Sequence, residues 1–420
     1  MLHVMQLCPG VTLRCASDTR FKQGRLSVQL VRPMVKEEAA LNALLPAVLL
    51  RGTKSFPDLR SITLRLDDLY GASVGSLVRR VGDYQTTGLH SSFIEDKYAM
   101  AGDTVLAPVA AFLEELLLHP LTEQGVFCKS YVESEKKNLM AAIEATRNDK
   151  STYAAAQMLK AMCSADSFGI PRLGEASQVR AITPETAWAH YRKILKESPV
   201  ELFYVGSAAP EAVAALLRPM FEKMERNVQP LRPQTPFQDG GKQEKTEQME
   251  VAQGKLCMGF VTPITIGDPR FAAMQVLNGV FGAGFISKLF MNVREKMSLC
   301  YDIHSVYHGS KGIVMACAGI DCQMNETVRQ QILAQLAACQ AGDISAEELT
   351  AAKESLCSSL RCVHDGPGSI ENYYATAALS GLSLTPQAYM QAVQQVDAQQ
   401  VADAAKTLQL HTVYFLEGVQ

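Results

Sequence analysis

Several features are missing from the 420-residue chain. It has no basic excess, with 40 Lys and Arg against 43 Asp and Glu, whereas a nucleic-acid-binding surface would need one. No segment approaches the roughly 20 apolar residues of a membrane helix, because 41–50 is too short and 105–118 contains Glu114 and Glu115. The N-terminal residues also lack the order of a secretory signal. We therefore expect a cytoplasmic protein with no nucleic-acid and no membrane partner.

The eleven cysteines include no Cys-x-x-Cys pair. The most closely spaced are Cys317 with Cys322 and Cys357 with Cys362. In a cytoplasmic chain, scattered cysteines of this kind indicate reduced and mostly buried thiols rather than a metal site or disulfides.

The composition is that of a globular protein, with 47% hydrophobic and 20% charged residues. A chain of this length exceeds the usual size of one hydrophobic core. Residues 226–245 are rich in Pro, Gln, Gly and charge, which is typical of a linker. The sequence thus predicts a first half over 1–225, a linker over 226–245 and a second half over 246–420.

A weak internal repeat supports this division. Residues 179–206 predict a helix that begins near Thr183-Pro184 and then a strand, and residues 393–418 predict the same order about 214 residues later. In each half, strand-like alternation comes early and helical periodicity dominates later. This order predicts an α+β fold in which each half is an antiparallel sheet backed by helices.

One motif carries a family resemblance. The segment Gly282-Ala-Gly-Phe-Ile-Ser-Lys-Leu-Phe is followed by Arg294-Glu-Lys-Met-Ser-Leu-Cys-Tyr301. This arrangement resembles the second-half signature of the M16B peptidases, the insulinase and mitochondrial-processing-peptidase type. The resemblance extends across the chain and implies two homologous LuxS/MPP-like halves joined by a linker.

The resemblance also implies that Arg294 and Tyr301 bind substrate. The guanidinium can donate to peptide carbonyls, and a tyrosine hydroxyl can donate to the oxyanion of a tetrahedral intermediate. Both residues are expected in one cleft beside a sheet edge that recruits an extended peptide. The alternative is that Arg294 pairs with a neighbouring carboxylate while Tyr301 packs in the core.

The zinc motif of the family is missing from the first half. Active members carry His-x-x-Glu-His on a helix before Gly-Thr, and the matching positions here are Ala43, Pro46 and Ala47. The third family ligand is a Glu seven residues after another Glu; here the first is Glu135 and the ligand position is Ala142. We therefore expect no metal, no cofactor and no catalytic residue in this chain.

Three other patterns have simpler explanations. His304 and His308 have the one-turn spacing of a zinc pair but lie in a predicted strand, where their side chains stay too far apart. Cys300 lacks a visible activator and is expected to be a packed thiol. The turn 282–284 lacks the Lys-Ser/Thr of a phosphate loop.

Family members work as paired chains or halves, one offering zinc and the other the Arg/Tyr pair. The resemblance thus implies the non-catalytic subunit of a heterodimeric peptidase, with peptide as ligand and a zinc-bearing His-x-x-Glu-His subunit as partner. One alternative is a structural protein that keeps the fold without proteolysis. Others are a chaperone-like peptide-binding homodimer and a peptidase with non-zinc chemistry.

Overall fold

The computed structural model of the protein describes residues 2–418. The strands are β1 (Leu2–Cys8), β2 (Val11–Ser17), β3 (Gln23–Pro33), β4 (Ser73–Val81), β5 (Tyr84–Ile94), β6 (Thr122–Glu123), β7 (Val126–Phe127), β8 (Val200–Gly206), β9 (Gln243–Met249), β10 (Gly254–Val261), β11 (Asp302–His308), β12 (Ile313–Ile320) and β13 (Gln409–Gly418). The α-helices are α1 (Lys36–Leu49), α2 (Leu59–Asp68), α3 (Leu106–Leu118), α4 (Lys129–Asn148), α5 (Lys150–Met162), α6 (Ala176–Ala181), α7 (Pro184–Glu197), α8 (Pro210–Glu222), α9 (Phe271–Asn278), α10 (Asn325–Gln340), α11 (Ala346–Cys362), α12 (Pro367–Ser380), α13 (Pro386–Gln395) and α14 (Ala398–Lys406). Within these described residues, no helix combines the length and apolar composition that crossing a bilayer requires.

The two large sheets have equivalent strand orders. One runs β1-β2-β8-β3-β5-β4 and the other β11-β12-β10-β13-β9. Read from the parallel pair outward, β2-β8-β3-β5-β4 corresponds to β9-β13-β10-β12-β11. This correspondence confirms the predicted α+β fold with two related sheets. The expectation of purely antiparallel sheets needs one correction, because β2 with β8 and β9 with β13 are parallel.

The repeated helix–strand unit at the end of each half has a local cause. The side chain of Thr183 accepts a hydrogen bond from the Thr186 backbone N–H and so caps α7, with Pro184 in the first turn. The side chain of Asp397 caps α14 in the same way through the Gln400 N–H. Each cap satisfies a backbone donor that the first helical turn leaves unpaired. The strands β8 and β13 follow these helices.

The chain forms two compact units, and neither is one continuous stretch. Unit 1 contains the described residues up to Ile143 together with Ile170–Pro233 and His364–Leu379. Unit 2 contains Glu144–Gly169, Gln234–Val363 and the described residues from Ser380 onward. The changeover near 233 falls inside the segment predicted as a linker. Each unit also takes one segment from the other half of the chain.

Each exchanged segment carries a buried carboxylate that pairs with basic residues of its unit. In unit 1, Glu371 accepts hydrogen bonds from Arg25 Nε at 2.9 Å and from Arg79 Nη1 at 3.0 Å. In unit 2, Asp166 Oδ1 lies 3.0 Å from Lys311 Nζ, and both side chains are essentially inaccessible to water. The ionic contacts therefore hold the exchanged segments in their units.

Replacing Glu371 should destabilise the protein strongly. Burial raises the pKa of Glu371, but the hydrogen bonds and charges of Arg79 and Arg25 outweigh burial, so the pKa is lowered and the group is ionised. Glu371→Gln leaves both guanidinium groups without their counter-charge, which should cost about 3 kcal/mol in urea unfolding. Asp403→Asn is the matched control, since Asp403 pairs with Lys406 on the exposed surface. Equal unfolding midpoints for the two variants would contradict the role of Glu371.

Candidate functional site

The Arg294–Tyr301 motif spans the junction between a π-helical segment, Leu289–Lys296, and strand β11. A second π-helical segment, Gly279–Ala283, precedes it. Such wide helical turns are rare and often occur at functional sites. Strand β11 is the outer strand of its sheet, so its main chain has one side that no strand of the described chain pairs with. The motif therefore lies beside an open sheet edge.

Buried contacts fix the π-helical segment in place. Leu289 is fully buried. The neighbouring Lys288 is nearly buried, and its Nζ lies 3.0 Å from Glu348 Oε1 on α11. Asn292 donates a hydrogen bond of 2.6 Å to Gln335 Oε1 on α10. The family motif thus supplies both the anchors and the exposed side chains of the site.

The chain reverses direction at Ser298, which has a φ of 51°. The Ser298 N–H donates to the Arg294 carbonyl at 3.0 Å and closes the end of the helix. Tyr301 N–H then donates to the Gly319 carbonyl at 2.9 Å, where pairing with β12 begins. A non-glycine residue in the left-handed region is uncommon, and at functional sites such strain is maintained by the surrounding structure.

The guanidinium of Arg294 is held by its own loop. Its Nε donates to the Tyr301 carbonyl at 2.9 Å, and its Cζ lies 4.6 Å from the centroid of the Phe290 ring. Nη1 lies 3.4 Å from Glu295 Oε1, and the side chains of this ion pair are 37% and 50% exposed. The stacking and the Nε contact orient the group before any ligand binds, while its outer N–H groups face a partly open surface.

Tyr301 is 64% exposed and lines a cleft of about 380 Å³ together with Arg294. Phe290, the loop 282–285 and residues 302–304 complete the lining. The structure therefore brings the two predicted residues to one cleft, and it does not place Tyr301 in the core. The contact between Arg294 and Glu295 is the carboxylate pairing that the alternative interpretation included.

Two phenylalanines of the cleft were not predicted from the sequence. Phe285 is 80% exposed, and its ring meets that of Phe290 edge-on with centroids 5.3 Å apart. Both lie within the family motif, and a phenylalanine directly after the turn 282–284 was the available signal. An exposed aromatic pair beside a guanidinium suits a peptide segment that carries an apolar side chain.

Neither His304 nor Cys300 has the surroundings of a reactive group. His304 is exposed and lies with His308 on β11, and no cluster of three His, Cys, Asp or Glu that could hold a metal occurs within 2–418. Burial, with a smaller contribution from Asp302, raises the pKa of the Cys300 thiol to about 11 although Arg294 opposes the shift. Cys300 is therefore a protonated, packed thiol.

The positions of the missing zinc ligands offer no metal donors. Ala43, Pro46 and Ala47 lie on α1, where Ala43 and Pro46 are buried, and Ala142 is exposed on α4. Their side chains contain no nitrogen, oxygen or sulfur atom that could bind zinc. The side chains at these four positions therefore do not fit a zinc ion.

The glutamate retained from the family pattern is used structurally. Glu135 Oε1 accepts a hydrogen bond of 3.3 Å from Arg51 Nη1, and Glu135 Oε2 accepts one of 3.0 Å from Asn138 Nδ2. Arg51 also lies over the ring of Tyr131, with its Cζ 5.2 Å from the centroid. These contacts join the end of α1 to α4.

A buried polar network fastens α1 to its neighbours. Asn42, directly before the first degenerate position, donates from Nδ2 to Gln85 Oε1 at 2.8 Å. Its Oδ1 lies 2.7 Å from His190 Nε2 on α7. Because the amide oxygen can only accept, His190 carries a proton on Nε2. All three side chains are buried, so α1 is part of the core.

Taken together, the fold and the site define a class of protein: an α+β chain of two related sheets with a cleft beside an outer strand and, among residues 2–418, no cluster of side chains that could hold a metal. Residues 181–356 match the family model described as Peptidase M16 inactive domain. The chain is 29% identical over 411 residues to the Bacillus subtilis protein named "Probable inactive metalloprotease YmfF", covering 98% of this chain and 96% of that relative.

Solved structures agree with this relationship. A conserved protein from Enterococcus faecalis V583 superimposes with a TM-score of 0.92 at 28% identity, covering 100% of this chain and 99% of that chain. A peptidase M16 inactive domain from Pseudomonas fluorescens, at 17% identity, shares the fold with a TM-score of 0.81 over 100% of this chain and 98% of that chain. The chain is thus similar to a peptidase M16 inactive domain over residues 181–356 and to a probable inactive metalloprotease over nearly its whole length.

Ser298 provides a test of the backbone geometry at the site. Ser298→Gly removes the side chain from a left-handed position, which should stabilise the protein by up to about 1 kcal/mol in urea unfolding. Ser355, exposed in the interior of α11, is the matched control. Ser355→Gly should instead destabilise by about 0.5 kcal/mol, because glycine is a poorer helix former than serine. A destabilising Ser298→Gly would show that the turn is not strained.

His190 should make the stability depend on pH. Burial lowers its pKa to about 4; Glu38 opposes this shift, and Arg32 and Lys193 add to it. The unfolded chain then binds the proton first, so stability is complete above the ordinary pKa of about 6.5 and falls by about 3 kcal/mol as the pH drops toward 4. His190→Gln should flatten this decline in denaturant unfolding, whereas substitution of the exposed His119 should not. An unchanged slope in His190→Gln would contradict the assignment.

Proposed function

We propose that this chain is the non-catalytic subunit of a heterodimeric M16 peptidase, in which Arg294 and Tyr301 bind and orient a peptide. A partner subunit bearing His-x-x-Glu-His supplies the zinc ion and cleaves the peptide. The observation that carries the proposal is that Arg294 and Tyr301 line one cleft at the end of the outer strand β11.

In this proposal each element of the site has a distinct task. An extended peptide pairs with the open side of β11 through main-chain hydrogen bonds. Arg294 is held through Nε, and its outer N–H groups donate to peptide carbonyls. The exposed Tyr301 hydroxyl would donate to the oxyanion of a tetrahedral intermediate on the bound peptide.

The exposed aromatic pair supports a second candidate function. Phe285 is 80% exposed beside the cleft, as in a surface that binds unfolded or apolar segments. In that case the chain, alone or as a homodimer, holds peptide segments without taking part in their cleavage. The two functions differ in whether substitutions at the cleft change turnover or only binding.

The decisive experiment combines this chain with a zinc-loaded M16 protein bearing His-x-x-Glu-His from the same genome and an unstructured, internally quenched peptide. Tyr301→Phe should lower kcat about 100-fold, the effect of losing an oxyanion donor. Arg294→Ala should raise KM about tenfold, the effect of losing a charge-assisted hydrogen bond. This chain incubated with zinc but without the partner should show no turnover.

Matched controls are available on the exposed surface. Arg361→Ala on α11 and Tyr98→Phe remove the same groups away from the cleft and should leave turnover unchanged. Size-exclusion chromatography checks that each variant still forms the complex. If complexes form and neither cleft substitution lowers turnover, the proposed role is wrong. Peptide binding that depends on Arg294 in the absence of any turnover would establish the second function instead.

A further inference from the structure

Two cysteines face each other across the second sheet. Cys257 on β10 and Cys317 on β12 are direct partners in the antiparallel register, and their Sγ atoms are 2.9 Å apart. Both are thiols. Opposed residues of antiparallel strands have Cα atoms about 4.5–5.5 Å apart, within the range that a disulfide spans. A bond between these two sulfurs therefore needs little movement of the backbone.

The pair lies in a sulfur-rich apolar cluster. Cys257 is 1% exposed and Cys317 is 6% exposed, and both pack with Met158 and Met162 of α5 and with Met315. The hydrogen bond with Cys317, together with burial, raises the pKa of Cys257. Because the thiolate is the reactive form, exchange at this pair is slow. The surroundings protect the thiols kinetically, whereas the geometry favours the bond between them.

We propose that Cys257 and Cys317 form a redox site that a low-molecular-weight disulfide oxidises to an intramolecular cross-strand disulfide. One thiolate attacks a sulfur of the small disulfide and releases the first small thiol, which leaves a mixed disulfide on the protein. The second thiolate then attacks the protein sulfur of that mixed disulfide and releases the second small thiol. Two electrons pass from the protein sulfurs to the small disulfide, and each protein thiol loses one proton.

The link would lie one strand away from the cleft. Cys317 is the register partner of His304 on β11, and His304 lines the cleft. A covalent bond between β10 and β12 closes a long loop of the unfolded chain, which lowers the entropy of the unfolded state. It also links β10 to β12, the strand with which β11 pairs. Oxidation therefore stabilises the sheet edge, and this consequence does not depend on the proposed peptidase role.

The test uses the full-length folded chain incubated for hours with oxidised or reduced glutathione. The samples are quenched in acid, then unfolded and alkylated with N-ethylmaleimide. The intact mass of the oxidised chain should show two fewer N-ethylmaleimide groups than that of the reduced chain. Thiols blocked by bound glutathione are counted separately and should not account for these two. Peptide mapping should join the peptides that contain Cys257 and Cys317. The oxidised chain should also melt at a higher temperature than the reduced chain.

Cys362 is the internal reference, because it is exposed. If Cys362 is fully glutathionylated while Cys257 and Cys317 still carry alkyl groups, the proposal is wrong. It is also wrong if the link forms only in urea, since native proximity would then play no part. Cys317→Ser should abolish both the link and the rise in melting temperature, whereas Cys362→Ser should keep both. The mapping of the wild-type chain decides the matter even where a variant fails to fold.

Discussion

The exchange of segments between the two halves is the constraint on which the structure depends. Unit 1 is completed by residues 364–379 and unit 2 by residues 144–169. Each exchanged segment brings a buried carboxylate to its unit: Glu371 pairs with the half-buried Arg25 and Arg79, and Asp166 pairs with Lys311, which would otherwise be buried without a counter-charge. Neither half of the chain therefore contains everything that its own sheet needs, and the halves are expected to fold together rather than one after the other.

The fold of unit 1 does not depend on the residues of a zinc motif. The core of unit 1 uses α1 as an apolar element, with Ala43 and Pro46 buried where the family pattern has a ligand and a base. Packing requires only that these residues be apolar and of suitable size. In unit 2, by contrast, Tyr301 is exposed and Arg294 is half-buried beside the outer strand, and neither belongs to the hydrophobic core.

The sequence predicted the fold class and the position of the motif because both depend on local patterns. Alternation and helical periodicity indicated the strands and helices, and the motif led to the expectation that Arg294 and Tyr301 share a cleft beside a sheet edge. The segment exchange was not predictable, because it depends on contacts between residues as distant as Arg25 and Glu371. The π-helical turns and the left-handed Ser298 were also missed, since surrounding contacts impose them against local preference.

The side chain of Arg294 lies beside this unusual backbone. Its guanidinium Nε donates to the Tyr301 carbonyl at 2.9 Å, directly before β11 begins. The π-helical segment ends and Ser298 adopts its left-handed backbone between these two groups, and the buried Leu289 and Lys288 anchor the segment. The strained backbone thus accompanies a guanidinium that is already oriented, and in the proposed peptide-binding role such preorganisation would lower the entropy lost on binding.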